Sequence, residues 1–227
     1  MSKLKSSAEF YYFLLAGLFI ALLVSCNLIF QKFFSWNPMG LFNFELSVGL
    51  IPYPLTFLVT DLISEIYGKQ RANQVVKVGL IASLVVMGVV IISSIVPATV
   101  WSPVNNQVFD NVFGLTGVAV AASMLAYLFA QFIDIQIFHY LKELTKGKHL
   151  WVRNNFSTIT SQFVDTCVVL LLLCSFNAIK WEMFGTLLLS GFLFKVIVAL
   201  LDTPFFYLFT YLLKKKFRLT DCQEVDF

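Results

Sequence analysis

Six stretches of the chain are almost continuously apolar, and polar residues concentrate in the short connections between them. These stretches lie at about 10–30, 46–66, 78–97, 115–140, 158–179 and 184–212. Each is close to the roughly 20 apolar residues that a helix needs to cross a bilayer. A transmembrane β-barrel would show short segments of alternating polarity instead. The pattern predicts an all-α integral membrane protein, a bundle of six transmembrane helices forming a single membrane domain over residues 1–227.

The composition supports this prediction. Of the 227 residues, 59% are hydrophobic and 13% are charged, whereas soluble domains carry roughly 25% charged residues. The mean hydropathy is +0.82. The longest connections, near 31–45, 98–114 and 141–156, are too short to hold a large soluble domain.

The Lys and Arg residues indicate how the bundle is oriented. With a cytoplasmic N-terminus, 13 of the 16 fall on the cytoplasmic side, Lys32 and Lys180 fall outside, and Lys195 lies within the last helix. Cytoplasmic loops carry such an excess, so we expect both termini in the cytoplasm. The first apolar stretch is longer than the core of a cleaved signal peptide, and we interpret it as a retained helix. The net charge of +3 then reflects orientation and contact with anionic lipid, not a nucleic-acid partner.

Five ionisable side chains lie inside the predicted helices. They are Asp61, Asp134, Asp165, Lys195 and Asp202. A charge at the bilayer centre costs about 2.5–3.5 kcal/mol on insertion scales, so five facing lipid would cost on the order of 15 kcal/mol. We therefore expect them to face the interior of the bundle, where they pair or become protonated.

Several of these charges share a helix face with amides and aromatic rings. At the three- and four-residue spacings of one face stand Tyr127, Gln131, Asp134 and Phe138 in the fourth helix, Thr158, Gln162 and Asp165 in the fifth, and Lys195 and Asp202, seven apart, in the sixth. Such residues also act as plain interhelical contacts, and Lys195 is free to neutralise Asp202 or another Asp. Their number favours a polar chamber.

The second helix has an irregular start and an acidic end. Pro52 and Pro54 disfavour a regular helix there, so we expect an irregular entry near Gly49–Pro52 and a helix from Tyr53 or Pro54 onward. At the other end, Asp61 and Glu65 lie four residues apart on one face. We expect Glu65 at the cytoplasmic interface and partly hydrated.

Signals of catalysis, metal or cofactor binding are weak. The chain has two histidines and no H-E-x-x-H, G-x-S-x-G or P-loop motif, so we expect neither an enzyme nor a cofactor. The four cysteines are interpreted as small buried hydrophobes, with no disulfide; they are Cys26, Cys167, Cys174 and Cys222.

Four blocks of the sequence resemble one family. PLTFLVTDLISEIYGKQRA, AQFIDIQIFHYLKELT, LWVRNNFSTITSQFVDT and FKVIVALLDTPFFY are similar to the bacterial queuosine precursor transporters, and Asn27 with Lys32 matches their N-x4-K pattern. The resemblance implies import of a 7-deazaguanine base across the cytoplasmic (inner) membrane by alternating access. Such bases include 7-cyano-7-deazaguanine, 7-aminomethyl-7-deazaguanine and queuine, which cells use in tRNA modification.

Such a base gives the polar residues a role. A carboxylate can accept the ring N–H and the amine of a guanine-like edge together, and we expect Asp134 or Asp165 to do so. The candidate substrate-binding residues are Asn27, Thr56, Asp61, Tyr127, Gln131, Asp134, Phe138, Asn154, Gln162, Asp165 and Lys195. The candidate coupling or gating residues are Glu65, Arg153 and Asp202.

Three questions stay open. Transport is either coupled to protons, for which Asp61 and Asp202 are candidates, or facilitated diffusion. The alternative to a self-sufficient carrier is the substrate-binding subunit of an ATPase-driven uptake complex, although Ala16 and Ala21 lack the Ala-x-x-x-Ala spacing of such subunits. A homodimer would use the third span, where Gly79, Ser83 and Gly88 offer a close-packing face.

Overall fold

Helices make up most of the structure, a computed structural model that describes residues 2–30, 32–37, 40, 44–113, 117–146, 148–176, 180–220 and 223–225. The helices are α1 (Ser2–Ile29), α2 (Tyr53–Ile95), α3 (Asn106–Phe113), α4 (Gly117–Leu144), α5 (Leu150–Ser175) and α6 (Phe184–Phe217). Two short antiparallel strands, β1 (Phe33–Trp36) and β2 (Phe44–Ser47), lie between α1 and α2. Single 3-10 turns span Val48–Leu50 and Trp181–Met183.

Five helical stretches in the described part of the chain are long and apolar enough to cross a membrane. They are Lys5–Ile29, Val48–Ile95, Met124–Leu144, Leu150–Ser175 and Trp181–Phe217. The prediction of an all-α membrane protein is confirmed at this level.

The start of α2 is irregular, as expected from its prolines. The Ser47 side chain accepts a hydrogen bond from the Gly49 backbone N–H at 3.2 Å and caps the 3-10 turn. The α-helix begins at Tyr53, with Pro54 in its first turn, where the missing N–H would have no helical partner in any case. The predicted helix start at residue 46 is wrong because that position belongs to β2.

The spans predicted at 46–66 and 78–97 both fall within α2 in the structure. The connection left between them, residues 67–77, is wrong in extent: the two helices are separated only by a break at Gly68, which has φ 82° and ψ 171°. A side chain here would be strained, and a Cβ would lie 2.2 Å from Oε2 of Glu224. The C-terminal segment therefore lies directly on the break, where the Val225 N–H donates to the Ile66 carbonyl at 2.8 Å.

The remaining helices differ from the predicted spans mainly at their polar ends. α5 begins at Leu150 instead of 158, and α6 continues to Phe217 instead of 212. Arg and Lys are good helix formers and Lys favours a helix C-terminus, so charged residues assigned to connections are helical. The connection predicted at 98–114 contains the short α3.

The first half of α2 is the centre of the molecule. Every residue from Thr56 to Gly68 is buried. α2 packs against α1, α4 and α6, and the α5 side chains Thr158 and Arg153 reach it. The second half becomes exposed toward its end, with Val85, Ile92 and Ile95 at 61%, 64% and 76%. Polar residues in the first half of α2 are therefore held away from lipid and face other helices.

The small residues of the second half of α2 do not form one free face. A Cβ on Gly79 would lie 2.6 Å from the Phe19 ring of α1, and Ser83 is buried. Gly88 has open space around it. The expectation that Gly79, Ser83 and Gly88 form a dimer surface is thus wrong for the first two, which pack inside one chain.

Candidate functional site

A column of buried polar side chains follows the first half of α2. Thr56, Thr60, Asp61, Ser64 and Glu65 are each at most 1% exposed. Thr56, Thr60 and Ser64 lie four residues apart, as do Asp61 and Glu65, so the two sets occupy adjoining stripes of the helix. Each level of the column meets different partners on α4, α5 and α6.

The first level joins α2 to α4 through hydrogen bonds. The Gln131 amide nitrogen donates to the Tyr127 hydroxyl at 2.7 Å, which donates to Thr56 at 2.6 Å. Thr60 donates to the Gln131 amide oxygen at 3.1 Å. Gln131 and Tyr127 are therefore engaged with neighbours and hold the two helices in register.

The second level is a buried ion pair between α5 and α6. Lys195 Nζ lies 2.6 Å from Asp165 Oδ2 and 3.0 Å from the Thr166 hydroxyl. The ammonium also lies over the Tyr53 ring, 4.7 Å from its centre. Among the described residues, Asp165 Oδ1 and the Tyr53 hydroxyl complete no hydrogen bond, although the two side chains lie close to each other. A ligand between them could engage both atoms.

The third level brings two carboxyl groups together. The side chains of Asp61 on α2 and Asp134 on α4 lie close enough to interact directly. From α5, the Thr158 hydroxyl donates to Asp61 at 3.3 Å and the Ser161 hydroxyl donates to Asp134 at 3.0 Å. We call Asp61 and Asp134 the carboxyl pair.

The fourth level, next to the break at Gly68, is an ion cluster. Glu65 lies 2.7 Å from Arg153 of α5, 2.5 Å from Lys214 of α6 and 3.7 Å from Lys142 of α4. We call these four residues the Glu65 cluster. Glu65 is 0% exposed, so the expectation that it is partly hydrated is wrong: it is the shared anion of three cations.

The Phe138 ring packs beside the Glu65 cluster and not beside the levels nearer the start of α2. The Arg153 guanidinium lies 5.6 Å from its ring centre. Tyr127 is eleven residues away on α4, about 16 Å along a helix that rises 1.5 Å per residue. One flat ring cannot stack on both, although the sequence placed them on one face.

The other candidates occupy separate positions around the column. Asn27 lines a small cavity with Leu23, Ser83 and Tyr127. Gln162 and Asn154 are buried on α5, and in each the amide oxygen has no partner among the described residues. Asp202 is half-buried and pairs with none of the described cations; Lys195 pairs with Asp165.

An open cavity of about 710 Å³ lies beside the Glu65 cluster. Its lining includes Arg153 and Lys214 together with His149, Trp151 and Tyr207. This volume is in the range of small-molecule sites. Two cations of the cluster therefore line the cavity, whereas Asp61 and Asp134 do not.

Several residues of the column were not predicted, although the same helical spacing indicates some of them. Ser161 lies three residues after Thr158 and four before Asp165, on the stripe already identified, and Thr60 lies four after Thr56. Tyr53 gave only a helix-start signal. Lys142 and Lys214 contribute to the predicted cytoplasmic excess of positive charge. No sequence pattern indicates that they converge on Glu65.

In the described residues, no group of three or more His, Cys, Asp or Glu could hold a metal ion. The described side chains offer hydrogen bonding, charge pairing and proton binding within a multi-pass membrane bundle. These features define a membrane protein of the transporter class.

Comparison with known proteins places the chain in a family. Residues 47–209 match the family described as "Putative vitamin uptake transporter", and because this is most of the chain, the chain belongs to that family. The resemblance found in the sequence is confirmed, and the protein is a transporter and not an enzyme.

Curated relatives extend over much of the chain. It is 28% identical over 178 residues to a "Probable queuosine precursor transporter" of Bacillus subtilis, covering 74% of this chain and 72% of that one. It is 25% identical over 192 residues to the "Queuosine precursor transporter" of Escherichia coli, covering 83% of each. A "Probable queuosine precursor transporter" of Haemophilus influenzae is 30% identical over 130 residues, 56% of this chain and 51% of that one. No solved structure matches.

Proposed function

We propose that this chain imports a queuosine precursor, a 7-deazaguanine base, across the cytoplasmic membrane. The supporting observation is the Asp165–Lys195 pair, buried in a chain whose relatives carry the name queuosine precursor transporter. A buried ion pair is costly to keep in a membrane bundle. Binding of a polar substrate would explain why the bundle keeps this ion pair.

The geometry favours Asp165 over Asp134 as the acceptor of the guanine-like edge. Asp134 is already bonded to Asp61 and Ser161. Asp165 keeps Oδ1 without a partner, and a carboxylate beside a ring N–H and an amine forms strong charge-assisted bonds. Lys195 would meet the carbonyl of the base, and the Tyr53 ring would lie along its face.

The transport path we propose runs along the buried column. In this proposal there are six membrane spans, the second and third separated at Gly68, so both termini lie on one side. The excess of Lys and Arg on that side favours the cytoplasm. The Glu65 cluster and its cavity would then form the cytoplasmic gate, and the Asp165–Lys195 pair would lie deeper in the membrane. Alternating access around a mid-membrane site is the common mode of such carriers.

Uptake of labelled 7-cyano-7-deazaguanine tests the proposal in cells that lack both their own transporter and synthesis of the base. Cells carrying the wild-type chain should accumulate label, and unlabelled 7-aminomethyl-7-deazaguanine or queuine should compete. Asp165→Asn should lose most uptake, because an amide cannot accept two donors at once. Asp110→Asn, an exposed acid on α3, is the matched control and should transport normally. Normal uptake by Asp165→Asn would remove this site.

The purified chain in liposomes separates a self-sufficient carrier from a subunit that needs an ATPase. We expect labelled base to exchange across the membrane with this chain alone. Binding without exchange, restored only by an added ATPase module, would assign it to the energy-coupling class.

A further inference from the structure

The carboxyl pair is two buried acids that lie side by side without a neutralising cation in the described part of the chain. Asp61 and Asp134 are 1% and 0% exposed, and their side chains contact each other. Each has one oxygen bonded to a hydroxyl of α5. The other oxygens, Asp61 Oδ1 and Asp134 Oδ2, have no hydroxyl, amide or cation partner among the described residues.

The charged groups around the pair do not neutralise it. On α6, Lys195 is bonded to Asp165 and Asp202 adds negative charge within electrostatic range of Asp61. One turn away on α2, Glu65 holds Arg153 and Lys214. Lys142 is bonded to Glu224 at 2.8 Å and lies 3.7 Å from Glu65. α5 presents hydroxyls to the pair, and α1 contributes apolar side chains to the core around α2.

A hydrogen bond between two carboxyl groups needs a proton on one of them, because an ionised carboxylate only accepts. Two ionised carboxylates in contact, away from water, repel each other strongly, and such pairs share one proton. A sodium ion is the other candidate, and accumulation driven by sodium instead of pH would distinguish it from a proton.

We propose that Asp61 and Asp134 together form the proton-binding site that couples import to the proton gradient. The pair binds one proton from the outside when the site faces outward. It releases that proton to water on the cytoplasmic side after the base has left. Loss of the proton leaves two carboxylates that repel each other. This repulsion favours separation of the two helices that carry them, α2 and α4. The transported base in this cycle rests on the proposed function; the proton site itself does not.

Infrared spectroscopy tests the proton site without any substrate. The purified protein near neutral pH should show the C=O stretch of a protonated carboxylic acid shielded from solvent. That band should disappear in Asp61→Asn and in Asp134→Asn, because the remaining carboxylate accepts from the new amide and needs no proton. It should persist in Asp202→Asn, the matched control. A wild type without the band, or a band that both pair variants keep, overturns the inference.

Transport in liposomes then tests the coupling. With the membrane potential clamped at zero and the outside one pH unit more acidic, one proton per base supports about tenfold accumulation of labelled 7-cyano-7-deazaguanine. The two pair variants should reach a ratio near one at any pH difference, whereas Asp110→Asn, at an exposed acid on α3, should accumulate label like the wild type. Accumulation unchanged in either variant, or driven by sodium and not by pH, contradicts the inference.

The two assays also separate the two proposals. A wild type that shows the infrared band and its loss in both variants, but neither binds nor exchanges any deazaguanine, keeps the proton site and removes the proposed substrate. A wild type that exchanges the base but shows no such band keeps the substrate and removes the proton site.

Discussion

Removing the charge of Lys195 while leaving Asp165 in place is expected to destabilise the protein strongly. The two side chains are 6% and 5% exposed and 2.6 Å apart, so Lys195→Met leaves a buried carboxylate without its counterion. Breaking a buried pair in this way costs about 3–5 kcal/mol, roughly two to three and a half powers of ten in the folding equilibrium. Asp165→Asn should cost less, because Lys195 keeps the Thr166 hydroxyl and the Tyr53 ring.

The double variant Lys195→Met/Asp165→Asn decides whether the charges act as a pair. Replacing both charges with neutral groups of similar size is often neutral, so we expect the double variant to be more stable than Lys195→Met alone. The assay is unfolding in mixed micelles by SDS titration, followed by tryptophan fluorescence. Lys180→Met, at an exposed lysine before α6, is the control and should stay within about 0.5 kcal/mol of wild type. Losses that simply add in the double variant would refute the reasoning.

Two glycines of α2 give further predictions. Gly68→Ala should destabilise the protein by about 1–3 kcal/mol, because the backbone conformation at Gly68 is strained for residues with a side chain and the new methyl group displaces Glu224. SDS unfolding measures this loss of stability. Adding Glu224→Ala should relieve only the steric part of the loss. Gly79→Ala should cost about 1–3 kcal/mol by overpacking against Phe19, whereas Gly88→Ala, with open space, should be neutral or stabilise by up to about 1 kcal/mol. Equal effects at Gly79 and Gly88 would contradict the packing of α1 on α2.

The membrane class and most helices were predictable because apolar length is a strong, local signal. The irregular entry before Tyr53 was also predictable, since Pro52 and Pro54 restrict the backbone directly. Gly68 was not recognised, because a single glycine in a polar connection gives no sign that helix continues on both sides of it. Its conformation becomes intelligible only with Glu224 lying against it.

The sequence also indicated correctly that one face of α4 is buried. Helical spacing groups Tyr127, Gln131, Asp134 and Phe138 on one face of α4, and all four are at most 6% exposed. The spacing says nothing about depth in the membrane relative to another helix. In the structure these four residues serve three different levels: the hydrogen bonds to α2, the carboxyl pair and the Glu65 cluster.

Partner choice between helices is the step that no pattern supplies. Lys195 and Asp202 lie seven residues apart on one helix, which suggests a pair, yet seven residues span about 10 Å along the axis and the ammonium reaches Asp165 on α5 instead. Depth is set by how each helix slides against its neighbours, and here bonds such as Gln131 to Tyr127 and Asn155 to Thr203 fix that position. A buried charge with an unpartnered oxygen is thus a product of helix register, and substitutions that shift the register should alter the site as surely as substitutions within it.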